Sequence, residues 1–233
     1  MHSNLPAYCT ALRDDALNLP LPAGSVLIST GYDSNRWRGD EFSLSAITPV
    51  TGAAKRQSEH LAGRLCAREA LARLGCHEPV AVGTDRAPHW PAGFSGSISH
   101  GDGLAAAIVA PAEQWTGLGL DIERLLAPER AQKLKSQLLT EHELEALSGL
   151  DDAAQAMRIS QTFSLKEALF KALYPLTQTR FYFEHAQVTH WSAGGVRLQL
   201  LTDLSPQWRR GCELGGQWVI QDARVLSLVA VAG

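Results

Sequence analysis

The chain has 233 residues, 45% of them apolar and 19% charged, with 21 Lys and Arg against 24 Asp and Glu for a formal net charge of −3. A chain of this length and balance can bury a core unaided, which excludes a disordered chain, a fibre and a coiled coil. The near-even charge gives no general electrostatic reason to bind nucleic acid or an anionic membrane, although local basic clusters can still bind phosphates.

In chain order, Val26 to Tyr32 is apolar and β-rich and predicts a strand. Gly39 to Gly52, with Pro49, predicts mostly loop. Lys55 to Leu74 carries Leu61, Leu65 and Ala72 at helical spacing and stops at Gly75, so it predicts a helix. Thr84 to Gly96 is rich in Pro and Gly and predicts a loop. Ser97 to His100 and Leu104 to Ala110 predict two strands joined by a turn at Gly101-Asp102-Gly103. Pro111 to Thr116 breaks the pattern and is a candidate domain boundary, dividing the chain into residues 1–113 and 114–233. Gly117 to Glu123 predicts a strand, and Thr140 to Glu143 fits a capping box opening a helix through Leu147. Met157 to Leu173 predicts a second long helix ended by Pro175. Ala186 to Trp191, Val196 to Leu201, Gln217 to Ile220 and Val225 to Val231 predict further strands. The mixture is α+β.

Cys9, Cys66, Cys76 and Cys212 lack the short spacings of a zinc knuckle or a redox motif, and read as free, buried thiols in a reducing compartment. Met1 to Pro20 lacks the basic start and apolar run of a signal peptide. The longest apolar stretch, Val225 to Ala232, is far too short to span a membrane. These features lead us to expect a soluble cytoplasmic protein.

Three motifs carry candidate chemistry. Asp121 and Glu123 lie two apart at the end of a predicted strand, so both carboxylates point to one face. They suit a hard cation, or they are two surface acids at a solvated strand end. Phe163, Glu167 and Lys171 form an i,i+4 stripe on the second long helix. Glu167 and Lys171 are a plain helix ion pair unless the stripe faces Asp121 and Glu123, when Glu167 becomes a third oxygen ligand and Lys171 a phosphate partner. Ser99 and His100 end a strand beside a Gly-rich turn, a combination suited to a phosphate group or simply to the turn's backbone angles. No Gly-x-Ser-x-Gly surrounds the serine, so the Ser-His pair does not indicate a hydrolase nucleophile. Lys55, Arg56, Arg64 and Arg68 share the first long helix, and Arg86 precedes Pro88. Such charges form a solvated face or recognise phosphates.

The order Arg86-Ala-Pro, Ser-Ile-Ser-His100, Gly-Leu-Asp-Ile-Glu123 and Phe-Ser-Leu-Lys-Glu-Ala-Leu-Phe-Lys171 resembles the 4′-phosphopantetheinyl transferases of the larger, Sfp-like class. The helix Lys55-Arg-Gln-Ser-Glu-His-Leu-Ala-Gly-Arg-Leu-Cys-Ala-Arg-Glu-Ala70, the stretch Trp-Pro-Ala-Gly before Ser-Gly-Ser-Ile-Ser-His, and Phe-Lys-Ala-Leu-Tyr-Pro bring it closer to the EntD and PcpS type. The likeness extends from about Pro6 to the C-terminus. It implies two similar α+β halves related by a pseudo-twofold axis, with coenzyme A in the cleft between them.

Carried over residue by residue, the resemblance implies Asp121, Glu123 and Glu167 as Mg²⁺ ligands. Ser99 and His100 become contacts near the 3′-phosphate of coenzyme A, and Arg86 a further phosphate contact. Lys171 would reach the diphosphate, Lys166 would also touch the cofactor, and Arg64 and Lys55 would line the cofactor side. Asp121, Glu167 and Lys171 form the implied catalytic group, with Glu167, or a water it orients, as general base. Phe163 stands where many members have Trp.

The implied reaction moves phosphopantetheine from coenzyme A to a serine of acyl, peptidyl or aryl carrier proteins and releases adenosine 3′,5′-bisphosphate. The pathway would be siderophore synthesis, or fatty-acid synthesis as well for the broader PcpS-like type, and the protein a monomer. The alternatives are a Mg²⁺-dependent coenzyme A diphosphate hydrolase and a non-catalytic binder of coenzyme A or carrier protein.

Overall fold

The computed structural model describes residues 5–233 and divides into two compact units, residues 5–115 with Gly233 and residues 116–232. The mixed helix and sheet content is that of an α+β protein.

The first unit is built on an antiparallel three-stranded sheet. In chain order it contains β1 (Val26–Gly31), α1 (Glu41–Ser45), α2 (Ala54–Arg73), the two-residue strands β2 (Ala81–Val82) and β3 (Pro88–His89), β4 (Phe94–Gly101) and β5 (Leu104–Pro111). The strand order is β1-β5-β4, with Val26 opposite Val109 and Phe94 opposite Pro111. The central strand β5 is buried from Ala105 to Ala110, as expected of a strand with a neighbour on each side and a helix over it. Its small side chains let α2 sit close. On the same sheet, a Cβ at Gly63 of α2 would lie 2.6 Å from the Ile98 side chain of β4. Leu61, Leu65, Cys66, Ala67, Ala70 and Leu71 supply the buried face of α2.

Gly75, at φ +81°, ends α2: the chain turns there and the Cys76 N–H donates back to Leu71 O at 2.9 Å. The β4–β5 hairpin turns through Asp102 and Gly103, both at positive φ (49° and 78°). A two-residue hairpin of this kind needs φ > 0 at both central positions, which Asp-Gly supplies at little cost.

The second unit holds β6 (Trp115–Arg124), α3 (Pro128–Leu138), α4 (Glu141–Glu145), α5 (Asp152–Thr177), β7 (Ala186–Ser192), β8 (Gly195–Leu200), β9 (Glu213–Gln221) and β10 (Arg224–Ala232). Its five-stranded sheet runs β6-β10-β9-β8-β7. The core joins Leu165, Ala168, Leu169, Ala172 and Leu173 of α5 to Val196, Leu198, Leu214 and Val229 of the sheet.

Several elements differ from the sequence expectations. The segment read as loop between Gly39 and Gly52 contains α1, and Thr84 to Gly96 contains β3 and the start of β4. α3 is a further helix beyond the sequence expectations, with Pro128 at its first turn as a helix-start signal. α5 begins earlier than expected, where the Asp151 carboxylate accepts from the Ala154 N–H at 2.8 Å. It also runs through Pro175 instead of stopping before it. Proline removes only one N–H there, the Gln178 N–H still donates to Tyr174 O at 2.9 Å, and Gln178 itself closes the helix in a left-handed conformation. The expected capping box at Thr140 and Glu143 is present. All four cysteines are free, Cys66 and Cys76 buried but Cys9 and Cys212 only partly so. Among the described residues, no helix is long and apolar enough to cross a membrane.

Candidate active site

In the second unit, β6 and α5 bring the acidic motif and the helix stripe together. Alternation along β6 puts Gly117, Gly119, Asp121 and Glu123 on one face and the buried Leu118, Leu120 and Ile122 on the other. α5 lies directly against the glycines. A Cβ on Gly117 would meet Ala172 O at 2.6 Å, and one on Gly119 would meet Ala168 O at 1.8 Å. The helix can approach this closely only because those two positions carry no side chain. Further along the same strand face, Lys171 Nζ donates to Asp121 Oδ1 at 2.6 Å. Asp121 is buried and Lys171 partly exposed.

Glu123 and Glu167 complete the cluster. The Glu123 carboxyl is pushed up to about 7 by burial and the Asp121 charge; Lys171 opposes this and Glu167 adds to it. Glu167 is shifted up by burial and by Asp121, again against Lys171. Three carboxylates therefore lie within electrostatic reach of one another around a single lysine. Among the described residues, no three His, Cys, Asp or Glu side chains are posed as a finished metal cage, and one Asp121 oxygen is held by Lys171. The donor set nonetheless fits a hard cation, because an added positive charge offsets the mutual repulsion of the acids and the burial that raise Glu123 and Glu167.

Beside Glu167 lies a cavity of about 210 Å³ whose walls include Phe170, Arg180, Phe181, Tyr182 and Phe183. Phe163, one turn before Glu167, stacks at a tilt on Phe183 with centroids 5.5 Å apart.

Lys166 proves to have a different place from the one expected. It is buried, and its ammonium donates to Glu143 Oε2 (2.6 Å), Leu138 O (3.0 Å) and Phe183 O (2.9 Å). An ammonium has three donors, and all three are spent on protein groups. Lys166 is thus a brace between α5, α4 and the segment before β7. Its partner Glu143 also accepts from Val188 N–H at 2.7 Å and from Thr140 N–H at 2.8 Å. The capping box was legible in the sequence; this second use of Glu143 was not.

Arg64 departs from expectation for a similar reason. It is buried in the first unit, and its Nη1 donates to Val80 O and Ala81 O at 2.7 and 3.1 Å. Burial lowers its pKa to about 10. It pins the loop after α2 to the helix.

The other candidates of the first unit are better placed to meet a ligand. His100 stands at the end of β4 with its side chain 40% exposed, beside the buried Ser99. Its Nδ1 is 3.8 Å from Glu59 Oε2 on α2. Lys55, one turn before Glu59, is exposed and 4.0 Å from Glu59 Oε1. His60 is held neutral, its pKa lowered to about 4 by burial and by the charges of Arg64, His100 and Arg56. Arg86 is exposed at φ +72°, in a turn where its N–H donates to Gly83 O at 2.9 Å. Nothing in helix periodicity distinguishes Glu59 and His60 from surface residues in the sequence.

Comparison with known proteins fits this geometry. Residues 50–110 match the family described as 4′-phosphopantetheinyl transferase N-terminal domain, and residues 117–224 match the 4′-phosphopantetheinyl transferase superfamily. The chain is 30% identical to enterobactin synthase component D of Salmonella typhimurium, over 91% of this chain and 89% of that protein. It is 35% identical to the 4′-phosphopantetheinyl transferase Npt of Nocardia iowensis, over 76% of this chain and 83% of that one. It is 34% identical to the 4′-phosphopantetheinyl transferase Svp of Streptomyces mobaraensis, over 82% and 78%. The chain belongs to the 4′-phosphopantetheinyl transferase superfamily, a family of transferase enzymes.

Proposed function

We propose that this chain transfers 4′-phosphopantetheine from coenzyme A to a serine hydroxyl of acyl and peptidyl carrier proteins, with Mg²⁺ required and adenosine 3′,5′-bisphosphate released. The observation that carries this reading is the gathering of Asp121, Glu123, Glu167 and Lys171 where α5 rides on the glycines of β6. A module that only bound coenzyme A would have no need of three crowded carboxylates.

In this reading Asp121, Glu123 and Glu167 hold Mg²⁺, which when bound supplies positive charge against the diphosphate and the leaving oxygen. Lys171 exchanges its Asp121 partner for a diphosphate oxygen and adds a second positive charge there. Glu167, directly or through a water it orients, takes the proton from the carrier serine as its oxygen attacks phosphorus. The P–O bond to adenosine 3′,5′-bisphosphate breaks as the new one forms. A carboxylate that also holds a cation is a weakened base, which favours the route through a water that Glu167 orients. Ser99 and His100 serve as contacts near the 3′-phosphate and Arg86 as a further phosphate contact, with Lys55 as another basic residue lining the cofactor side. Similarity to enterobactin synthase component D supports carrier proteins of siderophore synthesis, with fatty-acid synthesis the broader alternative. We take the working form to be a cytoplasmic monomer.

The test is a mass spectrum of apo acyl carrier protein, and of an apo peptidyl carrier domain, after incubation with the protein, coenzyme A and Mg²⁺. A gain of one phosphopantetheine that EDTA prevents, and that Asp121→Ala abolishes in a folded protein, is the expected result. A folded Asp121→Ala protein with wild-type turnover would refute the metal assignment.

A further inference from the structure

Glu59 is a half-buried carboxylate in the part of the first unit assigned above to binding a phosphate. A negative charge there works against an anionic ligand, so its presence needs a reason. Its side chain is 15% exposed and faces three groups. The Tyr32 hydroxyl donates to Oε1 at 3.2 Å, and Lys55 Nζ approaches the same oxygen at 4.0 Å. Oε2 instead faces His100 Nδ1 at 3.8 Å. The two carboxylate oxygens are thus divided between a tyrosine and a histidine.

The surroundings fix that division. Tyr32 is held at both ends, since its backbone N–H donates to Gly103 O at 2.8 Å in the β4–β5 turn. Lys55 is 79% exposed, so its pair with Glu59 is a weak solvated one. His60, the next residue on α2, senses the charge of His100 but is itself kept neutral, so it does not answer the Glu59 charge.

A histidine can donate to a phosphate from Nε2 only when Nε2 carries a proton. If Nδ1 also keeps its proton toward Glu59, the ring must be the imidazolium. A carboxylate 3.8 Å from Nδ1 favours that form by its charge.

We propose that Glu59 is a positioning residue for His100. Through Oε2 it holds the imidazole Nδ1, protonated, inward, so that Nε2–H is presented to a phosphate monoester, the 3′-phosphate of coenzyme A. Tyr32 holds the carboxylate in place through Oε1. This inference rests on the reading of His100 as the 3′-phosphate contact, and its test separates the two.

Glu59→Gln keeps the size of the side chain and an oxygen to accept from Tyr32, and removes only the charge. The first readout is the His100 ring followed by ¹⁵N NMR in the full-length protein without ligand. Glu59→Gln lowers the His100 pKa by about half a unit or more. An unmoved pKa overturns the inference whatever His100 binds.

The second readout is steady-state kinetics with coenzyme A and with 3′-dephospho-coenzyme A, using apo acyl carrier protein. Glu59→Gln raises KM for coenzyme A about three- to fivefold, as expected for loss of one partly exposed ionic interaction. KM for the dephospho form and kcat stay as in the wild type. In a His100→Ala background, Glu59→Gln adds no further effect, since a residue acting through another has nothing left to act on. Equal KM increases for both substrates, or a full effect on top of His100→Ala, overturn the inference. If His100→Ala itself fails to discriminate between the substrates, the 3′-phosphate reading of His100 fails and the proposed presentation to that phosphate falls with it. A shifted His100 pKa would then show that the Glu59–His100 coupling still holds.

Discussion

Gly119→Ala is the sharpest test of how the proposed catalytic cluster is assembled. The added Cβ would stand 1.8 Å from Ala168 O, 2.7 Å from Ala172 N and 2.8 Å from Ala168 C, all backbone atoms of α5. Ordinary van der Waals contact begins near 3.4 Å, so the nearest pair falls short by about 1.6 Å. No side chain can rotate away to relieve this, and either the helix or the strand must move. Overpacking in a filled core costs about 1–3 kcal/mol, and a clash with backbone belongs at the top of that range. At about 2–4 °C per kcal/mol for a chain of this size, Tm falls by on the order of 10 °C.

The functional loss is larger than the loss of stability implies. Glu167 and Lys171 sit on the stretch of α5 that the new methyl pushes, whereas Asp121 sits on the strand. The 2.6 Å contact between Lys171 and Asp121 cannot survive a separation of that size. Misplacing a reacting group by about 1 Å can cost 10²-fold in rate, so we expect kcat to fall about a hundredfold in the folded variant. Gly215→Ala is the control. Gly215 lies on β9 of the same sheet, with nothing within 4 Å of its Cβ position. There, alanine should leave activity unchanged and stabilise slightly. Thermal unfolding followed by circular dichroism, together with transfer to apo carrier protein below both Tm values, measures the two effects. A Gly119→Ala protein with wild-type Tm and wild-type kcat would refute the close-packing account.

Three further predictions concern the rest of the chain. Glu143→Ala leaves the Lys166 ammonium buried without its carboxylate and should cost about 3–5 kcal/mol, seen as a lower urea midpoint; an unchanged midpoint would mean the brace carries no stability. His60 has a depressed pKa in the folded state, about 4 against 6.5, so its contribution is complete above pH 6.5 and is lost as pH falls toward 4. His60→Gln should therefore flatten the fall of Tm over that window, and parallel Tm–pH curves for the two proteins would contradict this. Asp151→Ala removes the cap on Ala154 N–H and should cost about 1 kcal/mol with catalysis intact below Tm; a loss of activity at full stability would point to a role other than capping.

Much of the architecture could be read from local signals. Leu61 and Leu65 at helical spacing, Gly75 beyond them, the Asp-Gly turn at 102–103 and the Thr140 capping box each act within a few residues of themselves. The same locality explains the errors. Pro175 looked like a helix stop because the sequence does not reveal that Gln178 takes up the left-handed cap beyond it. The acidic motif and the helix stripe were legible as motifs, but not as neighbours, because periodicity gives the direction of a side chain on its own element and nothing about what faces it.

What the sequence determined by itself, then, was the identity of the candidate groups: Asp121, Glu123, Glu167, Lys171, Ser99 and His100, each in a pattern with recognisable chemistry. What only tertiary structure decided was which of the charged residues the protein itself engages in its interior. Lys166 and Arg64 carry the same charge as Lys171 and Lys55, yet the first two are buried and spend donors on carbonyls and a carboxylate. A buried cation must have its donors met by the protein, and the partners that meet them, Leu138, Glu143, Phe183, Val80 and Ala81, lie sixteen or more positions away. Gly117 and Gly119 belong to the same lesson. In the chain they are two small residues in a strand, and only the approach of α5 makes them the reason that three carboxylates and a lysine can meet.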